Sequence, residues 1–325
     1  MTKAVRIHEA GGPDKLVYED TAVGDPGPGE VRLRHGAIGL NFIDVYMRAG
    51  VYPLTFPAIL GMEGAGHIVA LGEGVTEFAE GDRVAYSTMT APGAYAEERL
   101  IGADQLVALP DNIDDKTAAS VIFQGMTAAY LVSRTYPVKK GDTILMQAAA
   151  GGVGQILTQW ANHLGATVIG TVGSDEKAAL AKKSGCHHVI NYQTENFVER
   201  VAEITGGAGV NVVYDGVGKD TFDGGLDCLA PLGTMVVFGA ASGPVEPVNP
   251  MTLAAKGSVY LTRPTLKTHV AKRDDMVALA NSLFAVLASG AVKPNCGQEY
   301  ALADARKAHE DLEARKTTGA TVLLP

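Results

Sequence analysis

Cysteine is scarce in this chain of 325 residues, and no long apolar run interrupts it. The three cysteines, Cys186, Cys228 and Cys296, form no CxxC pair, which excludes a disulfide framework and is typical of the reducing cytosol. No apolar stretch approaches the roughly 20 residues that cross a bilayer. The first residues alternate like a strand rather than reading as a signal peptide. We therefore expect a cytoplasmic protein with no membrane partner.

Basic charge is also in short supply. The 27 lysines and arginines stand against 36 aspartates and glutamates, which leaves a net charge of −9 without any basic run. Nucleic-acid binding requires a basic face that neutralises phosphates. We therefore expect no nucleic-acid partner and look for a small-molecule ligand.

The sequence divides into parts with different patterns of predicted secondary structure. Residues 1–120 are short extended runs between glycine and proline turns, which predicts a mostly antiparallel β domain. In residues 121–289 strands alternate with helices, which predicts a doubly wound parallel sheet, the Rossmann arrangement. The tail, 290–325, is extended again and is expected to rejoin the first domain. The fold class is therefore α/β with two domains.

The strongest chemical motif is Gln147–Gly154, QAAAGGVG, which follows a predicted strand and opens a predicted helix. Glycines in that context let the backbone approach a pyrophosphate, and the free N–H groups of the helix start bind its charge. The usual first glycine is Ala149 here. The motif predicts nucleotide binding through Ala150, Gly151, Gly152 and Val153, and a ligand-free turn is the alternative.

The end of the next strand indicates which nucleotide binds. An NAD enzyme places an acid there for the ribose 2′-hydroxyl, whereas this strand ends in Val172 and continues through Gly173 and Ser174. Ser174 and Lys177 lie one helical turn apart and suit a 2′-phosphate. The alternative is an ordinary helix cap with a solvated lysine. We predict NADPH as the cofactor.

Several motifs together resemble a known superfamily. Gly36–Asp44, Gly61–Gly66, Gly81–Val84 and the glycine loop resemble the medium-chain dehydrogenases/reductases. Gly141–Leu145, Ala149–Gly152, Gly154 and Gln159 are similar to the signature of its quinone oxidoreductase (zeta-crystallin-like) family, with Asn162 as a departure. The resemblance spans essentially the whole chain. It implies a GroES-like catalytic domain made from both chain ends, around a Rossmann domain.

The resemblance also bears on metal. Zinc alcohol dehydrogenases of this superfamily have a cysteine at the position of Asn41 and a histidine at that of Met62. A carboxamide is a poor zinc ligand and a thioether is too soft, so we predict no metal. Without that Lewis acid, hydride transfer needs an acceptor that spreads negative charge, such as a quinone or an enone.

The resemblance implies roles for further residues. Asn41, Tyr46 and Tyr52 are expected to be catalytic, with Asn41 also holding the nicotinamide ribose or an acceptor oxygen; simple packing is the alternative for the tyrosines. Arg263 is expected either at the substrate or at a dimer contact. The other cofactor contacts that the family implies are Thr127, Gly173, Tyr192, Val217, Phe238, Gly239 and Arg315, with a solvated charge as the alternative for Arg315.

NADPH-dependent quinone reduction, by one or two electrons, is the leading hypothesis. A reductase of 2-alkenals or enoyl thioesters, with Tyr52 as proton donor, is the second, because saturating a C=C bond requires a proton. A non-catalytic NADPH-binding protein is the third. We also expect a homodimer through the apolar run Gly257–Thr262 at the edge of the Rossmann sheet.

Overall fold

The computed structural model describes residues 1–88 and 91–325 in two compact units. They are unit 1, made of Met1–Met126, Val270–Phe284 and Pro294–Pro325, and unit 2, made of Thr127–His269 and Ala285–Lys293. The ranges expected from the sequence differ chiefly at residues 270–284, which pack in unit 1. Gly125 gives this segment room, because a Cβ there would lie 2.5 Å from both methyl groups of Leu283.

The strands of both units are short. They are β1 (Thr2–Ile7), β2 (Val17–Thr21), β3 (Glu30–Leu40), β4 (Ala58–Ile59), β5 (Glu63–Leu71), β6 (Arg83–Ser87), β7 (Glu98–Gly102), β8 (Leu106–Ala108), β9 (Thr143–Met146), β10 (Thr167–Val172), β11 (His188–Asn191), β12 (Val210–Asp215), β13 (Leu229–Val237), β14 (Tyr260–Thr262), β15 (Cys296–Ala301) and β16 (Ala320–Leu324).

The helices lie mainly between the strands of unit 2. They are α1 (Phe42–Arg48), α2 (Asp115–Tyr130), α3 (Gly152–His163), α4 (Asp175–Lys183), α5 (Phe197–Ile204), α6 (Phe222–Asp227), α7 (Pro250–Ala255), α8 (Leu266–His269), α9 (Arg273–Ala288) and α10 (Ala305–Glu313). None of those in the described residues is both long and apolar enough to cross a membrane.

Unit 1 is built from mostly antiparallel strands. β1 lies between β2 and β4, and a larger sheet has the order β15-β16-β3-β5-β6-β8, with β7 also paired to β3. Its pairs are antiparallel except for β15 with β16. A glycine is required where β3 and β5 approach closely, since a Cβ at Gly66 would lie 2.0 Å from the Arg34 carbonyl oxygen. The expected β domain is confirmed, and its tail strand pairs with β3.

Unit 2 contains a parallel sheet in the order β11-β10-β9-β12-β13-β14. The central strand β9 is apolar, and Ile144, Leu145 and Met146 are at most 1% exposed, as in a strand covered on both faces. The chain runs outward from β9 to β11 and then returns to β12. This reversal places a crevice at the carboxyl ends of β9 and β12, where such sheets bind ligands. The predicted Rossmann arrangement is confirmed.

Candidate active site and nucleotide site

The glycine loop connects β9 to α3 at that carboxyl edge. The N-cap of α3 is Gly151, which is exposed and has no side chain to occupy the free N–H groups of the first turn. Gly154 must be a glycine, because a Cβ there would lie 2.4 Å from the Ala148 carbonyl oxygen. A helix start left open in this way fits the pyrophosphate of a dinucleotide.

Ala149, the departure from the usual glycine pattern, is compensated by a neighbouring strand. Its methyl group is fully buried, and its N–H donates to the Thr171 carbonyl oxygen at 3.0 Å. A Cβ at Gly170 of β10 would lie 2.7 Å from the Ala149 Cβ. Glycine at 170 therefore provides the space that glycine at 149 provides in the usual motif.

The residues expected to choose the nucleotide lie together at the ends of β10 and β11. Ser174 is the N-cap of α4, and its Oγ accepts from the Lys177 N–H at 3.2 Å. Gly173 lies against the hydroxyl end of the Tyr192 side chain, since a Cβ there would lie 2.4 Å from the Tyr192 hydroxyl. Asp175, the nearest acid, accepts from the Asn191 side chain at 2.8 Å. The helix cap considered as the alternative is present, and because it uses only a lone pair of the Ser174 oxygen, the O–H of Ser174 can donate to a ligand.

Val217, Phe238 and Gly239 lie together at the ends of β12 and β13. Asp215, fully buried, accepts from the Val217 N–H at 2.7 Å and from the Gly218 N–H at 3.0 Å. Burial raises the pKa of Asp215, and these hydrogen bonds oppose that rise. A Cβ at Gly239 would lie 2.5 Å from the Gly216 carbonyl oxygen, so the two strand ends touch through glycines.

The remaining expected contacts lie in different places. Thr127 in α2 and Ala150 in the glycine loop are buried. Arg263 follows β14, is exposed and donates to the Pro264 carbonyl oxygen at 2.9 Å. Arg315, in unit 1, is exposed just after α10 and has a left-handed backbone with φ of 58°.

Asn41 lies at the start of α1 in unit 1, where it is 7% exposed. Its N–H donates to Asp44 Oδ2 at 2.9 Å, which fixes the first turn of the helix. Its Nδ2 donates to Glu63 Oε1 at 2.6 Å, and its Oδ1 accepts from Gln124 Nε2 at 3.2 Å. The carboxamide is therefore held at both ends.

Glu63 is a buried carboxylate beside Asn41. Its Oε2 accepts from the Phe123 N–H at 2.7 Å, so both of its oxygens are hydrogen-bonded. Burial raises the pKa of Glu63 to about 8, although the hydrogen bonds from Asn41 and Phe123 lower it and Asp44 adds a further rise. Glu63 is the first residue of β5, and glycine at position 39 of β3 leaves room for its carboxylate, because a Cβ at Gly39 would collide with it.

Asp44 leads into a buried chain of polar groups that reaches α10. Tyr95 donates to Asp44 Oδ2 at 3.2 Å, and the Tyr95 hydroxyl is 3.0 Å from His309 Nε2. Arg48 can only donate, so it fixes His309 Nδ1, 2.9 Å away, as an acceptor and places the ring proton on Nε2. Arg48 also forms an ion pair with Glu313 at 2.7 Å. Burial raises the pKa of Asp44 to about 7, while burial and Arg48 lower that of His309 to about 3.

Tyr46 and Tyr52 form a small aromatic group with Phe42. The ring centroids of Tyr46 lie 6.3 Å from Phe42 and 6.5 Å from Tyr52. Tyr52 is 43% exposed, so its hydroxyl can meet a ligand from solution, whereas Tyr46 is half-buried.

The sequence interpretation missed Asp44, Glu63 and Gln124 as partners of Asn41. Asp44 had a signal, since Asn41 and Asp44 have the spacing of a capping box. The sequence signal for Glu63 was weaker: it is an acidic residue among glycines in an otherwise apolar predicted strand. Gln124 had none.

Family models match both parts of the chain. Residues 27–136 match the alcohol dehydrogenase GroES-like domain and residues 152–279 match the zinc-binding dehydrogenase domain. The quinone oxidoreductase of Pseudomonas aeruginosa is 49% identical over the full length of both chains. The chain belongs to the quinone oxidoreductase family.

Two further relatives of this quinone oxidoreductase family chain have informative names. A 2-haloacrylate reductase of a Burkholderia species is 46% identical, covering 100% of this chain and 99% of that one. The crystal structure of Escherichia coli quinone oxidoreductase complexed with NADPH matches with a TM-score of 0.97 and 45% identity, covering 99% of this chain and 100% of that one.

The name of one family model implies zinc, and this family member's residues do not fit it. Asn41 is hydrogen-bonded through both atoms of its carboxamide, and Met62 is fully buried in the apolar core of unit 1. Within residues 1–88 and 91–325, no group of three or more His, Cys, Asp and Glu side chains is placed to hold a metal ion.

Proposed function

We propose that this chain reduces quinones with NADPH by hydride transfer. The observation that carries the proposal is the combination of an open, glycine-lined helix start with Ser174 and Lys177 at the end of β10, where no acid occupies the strand end. A phosphorylated ribose is attracted to an ammonium and a hydroxyl, whereas a carboxylate repels it. The E. coli relative complexed with NADPH supports the same cofactor.

Within this proposal, each group of residues has a separate task. The first turn of α3 binds the pyrophosphate, Ser174 and Lys177 bind the 2′-phosphate, and Tyr192 covers the adenine side of the site. When bound, NADPH supplies a hydride to the acceptor. Asn41 donates a hydrogen bond to an oxygen of the bound ligands, and the exposed hydroxyl of Tyr52 donates a second one that water can replace, while the reduced quinone takes its proton from water. A quinone already delocalises the incoming charge, so these donors suffice.

The direct test follows NADPH oxidation by chelator-treated enzyme with 9,10-phenanthrenequinone and, separately, with crotonyl-CoA. We expect fast turnover of the quinone and slow turnover of the thioester, with no restoration by added zinc. Tight NADPH binding without turnover of either compound would instead support a non-catalytic nucleotide-binding protein.

Reduction of an activated C=C bond is a second candidate function. The full-length similarity to a 2-haloacrylate reductase favours it, and Tyr52 offers the proton that such a reaction consumes. Under this function, Tyr52→Phe lowers the rate on a 2-haloacrylate at least about tenfold and leaves quinone reduction nearly unchanged. Steady-state rates of both variants on both acceptors check this. An unchanged haloacrylate rate would remove the proton-donor role.

A homodimer in the cytoplasm completes the proposal. β14 is the edge strand of the unit 2 sheet, and it presents Tyr260 at 61% and Leu261 at 36% exposure. An unpaired apolar edge is stabilised by pairing with a second copy. Arg263, directly after β14, is assigned to the substrate or to this contact.

Sedimentation tests the dimer. We expect twice the chain mass of 33.8 kDa at micromolar concentration, and the mass of one chain for Leu261→Asp, because a buried aspartate destabilises the pairing. Met251→Asp, at a site that is 70% exposed on α7, is the matched control and should remain a dimer. A wild-type species of 33.8 kDa would refute the dimer.

A further inference from the structure

Asn41 has one hydrogen-bond donor left over. Its main-chain N–H is bound by Asp44, its Oδ1 is bound by Gln124, and one hydrogen of Nδ2 is bound by Glu63. The second hydrogen of Nδ2 has no partner among the described residues. Asn41 therefore presents an unused N–H to a ligand, beside the one lone pair that remains on Oδ1.

The orientation of the Asn41 carboxamide follows from the chemistry of its neighbours. Above its raised pKa of about 8, Glu63 is ionised and can only accept, so the Asn41 atom 2.6 Å from Oε1 must then be the nitrogen. The Phe123 N–H donates to the other Glu63 oxygen, which keeps both oxygens in use as acceptors. Oδ1 of Asn41 must then face Gln124, whose side-chain N–H donates a hydrogen bond to it.

We infer that Glu63 and Gln124 are positioning residues that hold the Asn41 carboxamide so that it offers an N–H to the oxygen of the bound acceptor. This inference rests on the proposed function, in which an acceptor oxygen gains negative charge during hydride transfer. An N–H stabilises that charge, whereas a carbonyl oxygen in its place repels it. The two residues act through Asn41 and need not touch the acceptor.

The surroundings of Glu63 make this hydrogen-bond chain reversible. A neutral side chain of the same shape at position 63 can donate to Asn41 Oδ1, and Asn41 Nδ2 can then donate to Gln124, whose Oε1 is buried without a partner among the described residues. Every hydrogen bond would be retained, but Asn41 would be turned round. The ionisable groups around Glu63 are Asp44 and the hydroxyls of Tyr86 and Tyr95.

Glu63→Gln is therefore expected to separate stability from activity. The folded-state pKa of Glu63 is raised, so the wild-type protein loses stability as the pH rises from about 4.5 towards 8, and the variant loses less, because only the raised pKa of Asp44 remains of this pair. We expect the variant to melt at pH 8 at the wild-type temperature or above it. At about pH 9, where the wild-type Glu63 is ionised, we expect the kcat/KM of the variant for 9,10-phenanthrenequinone to be at least about tenfold lower than that of the wild type, since one charge-stabilising hydrogen bond is lost.

Gln124→Met is a second test of the inference, and Asp311→Asn is its control. Gln124→Met removes the donor to Asn41 Oδ1 while Glu63 still holds Nδ2, so we expect a smaller fall of at least about threefold. Asp311→Asn neutralises another largely buried carboxylate of unit 1, bonded to Tyr300 at 2.9 Å and remote from Asn41 in the sequence, and should leave kcat/KM unchanged.

The test measures quinone kinetics, melting temperature and the side-chain amide resonances of Asn41 in the NADPH-free protein, assigned by their loss in Asn41→Asp. Support is a displacement of these resonances in Glu63→Gln, but not in Asp311→Asn, with kcat/KM reduced and melting temperature retained. Unmoved resonances, or an unchanged kcat/KM in a folded Glu63→Gln enzyme, overturn the inference.

If Glu63→Gln fails to fold, Gln124→Met decides by the same criteria. An inactive wild type refutes the proposed function, and the resonances still decide how Asn41 is held.

Discussion

Ser174→Asp combined with Lys177→Glu is expected to reverse the preference between NADPH and NADH by about 10²–10³-fold in kcat/KM. In the proposed 2′-phosphate site, this change removes two charge-assisted hydrogen bonds, at about 1.5–3 kcal/mol each, and puts two carboxylates in their place. The aspartate still accepts the Lys177-position N–H that Ser174 now accepts at 3.2 Å, so the cap of α4 is preserved. Steady-state kinetics with both nucleotides and one quinone measure the effect.

The control for this change lies on the same helix. Lys182→Glu alters the charge of α4 in its last turn, at an exposed position, and should leave the nucleotide preference within about twofold. A preference that shifts equally in the control would mean that overall charge, and not a 2′-phosphate site, determines it. An unshifted preference in the double variant would place the phosphate elsewhere.

Arg48→Met is expected to destabilise unit 1 by about 3–5 kcal/mol, the cost of leaving buried polar partners unpaired. Arg48 is 2% exposed and bonds to His309, to Glu313 and to the Gly11 carbonyl oxygen at 3.1 Å. Removing it leaves His309 Nδ1 without its donor, and that loss disturbs the link through Tyr95 to Asp44. Urea unfolding followed by fluorescence measures the change in free energy.

Arg34 provides the comparison. It forms an ion pair with Glu98 at 2.9 Å, about as short as the pair of Arg48 with Glu313, but its side chain is 64% exposed. Arg34→Met should change the free energy of unfolding by less than about 1 kcal/mol, because exposed ion pairs contribute little. Equal losses in the two variants would contradict the role given to burial.

Much of unit 2 could be predicted because its signals are local. The strand ending at Met146, the glycine loop and the helix from Gly152 follow each other directly in the sequence, and each has its own pattern. Even the departure at Ala149 is explained by one residue, Gly170, once the strand pairing is known. That pairing joins neighbouring βα units, as parallel sheets usually do.

The partners of Asn41 could not be predicted, for a physical reason. Asn41 precedes α1, Glu63 begins β5 and Gln124 lies in α2, and they meet only through long-range packing of unit 1. Gln124 sits in an apolar helical run, where the pattern of burial does not indicate what an amide will bond. The assignment of residues 270–284 to unit 1 fails to appear in the sequence for the same reason, since an apolar helix face does not specify which surface it covers.

The position of β16 has a consequence for how the chain is made. Residues 320–324 form an inner strand of the large sheet, between β15 and β3, so β3 lacks this neighbour until all of unit 2 has been synthesised. Unit 2 is mainly one continuous segment, Thr127–His269, and its strands pair with partners made shortly before them. On the ribosome, we expect unit 2 to fold while the edge of β3 is still open to chaperones or to a second nascent chain. The strand β3 is thus synthesised before unit 2 but reaches its final structure after it.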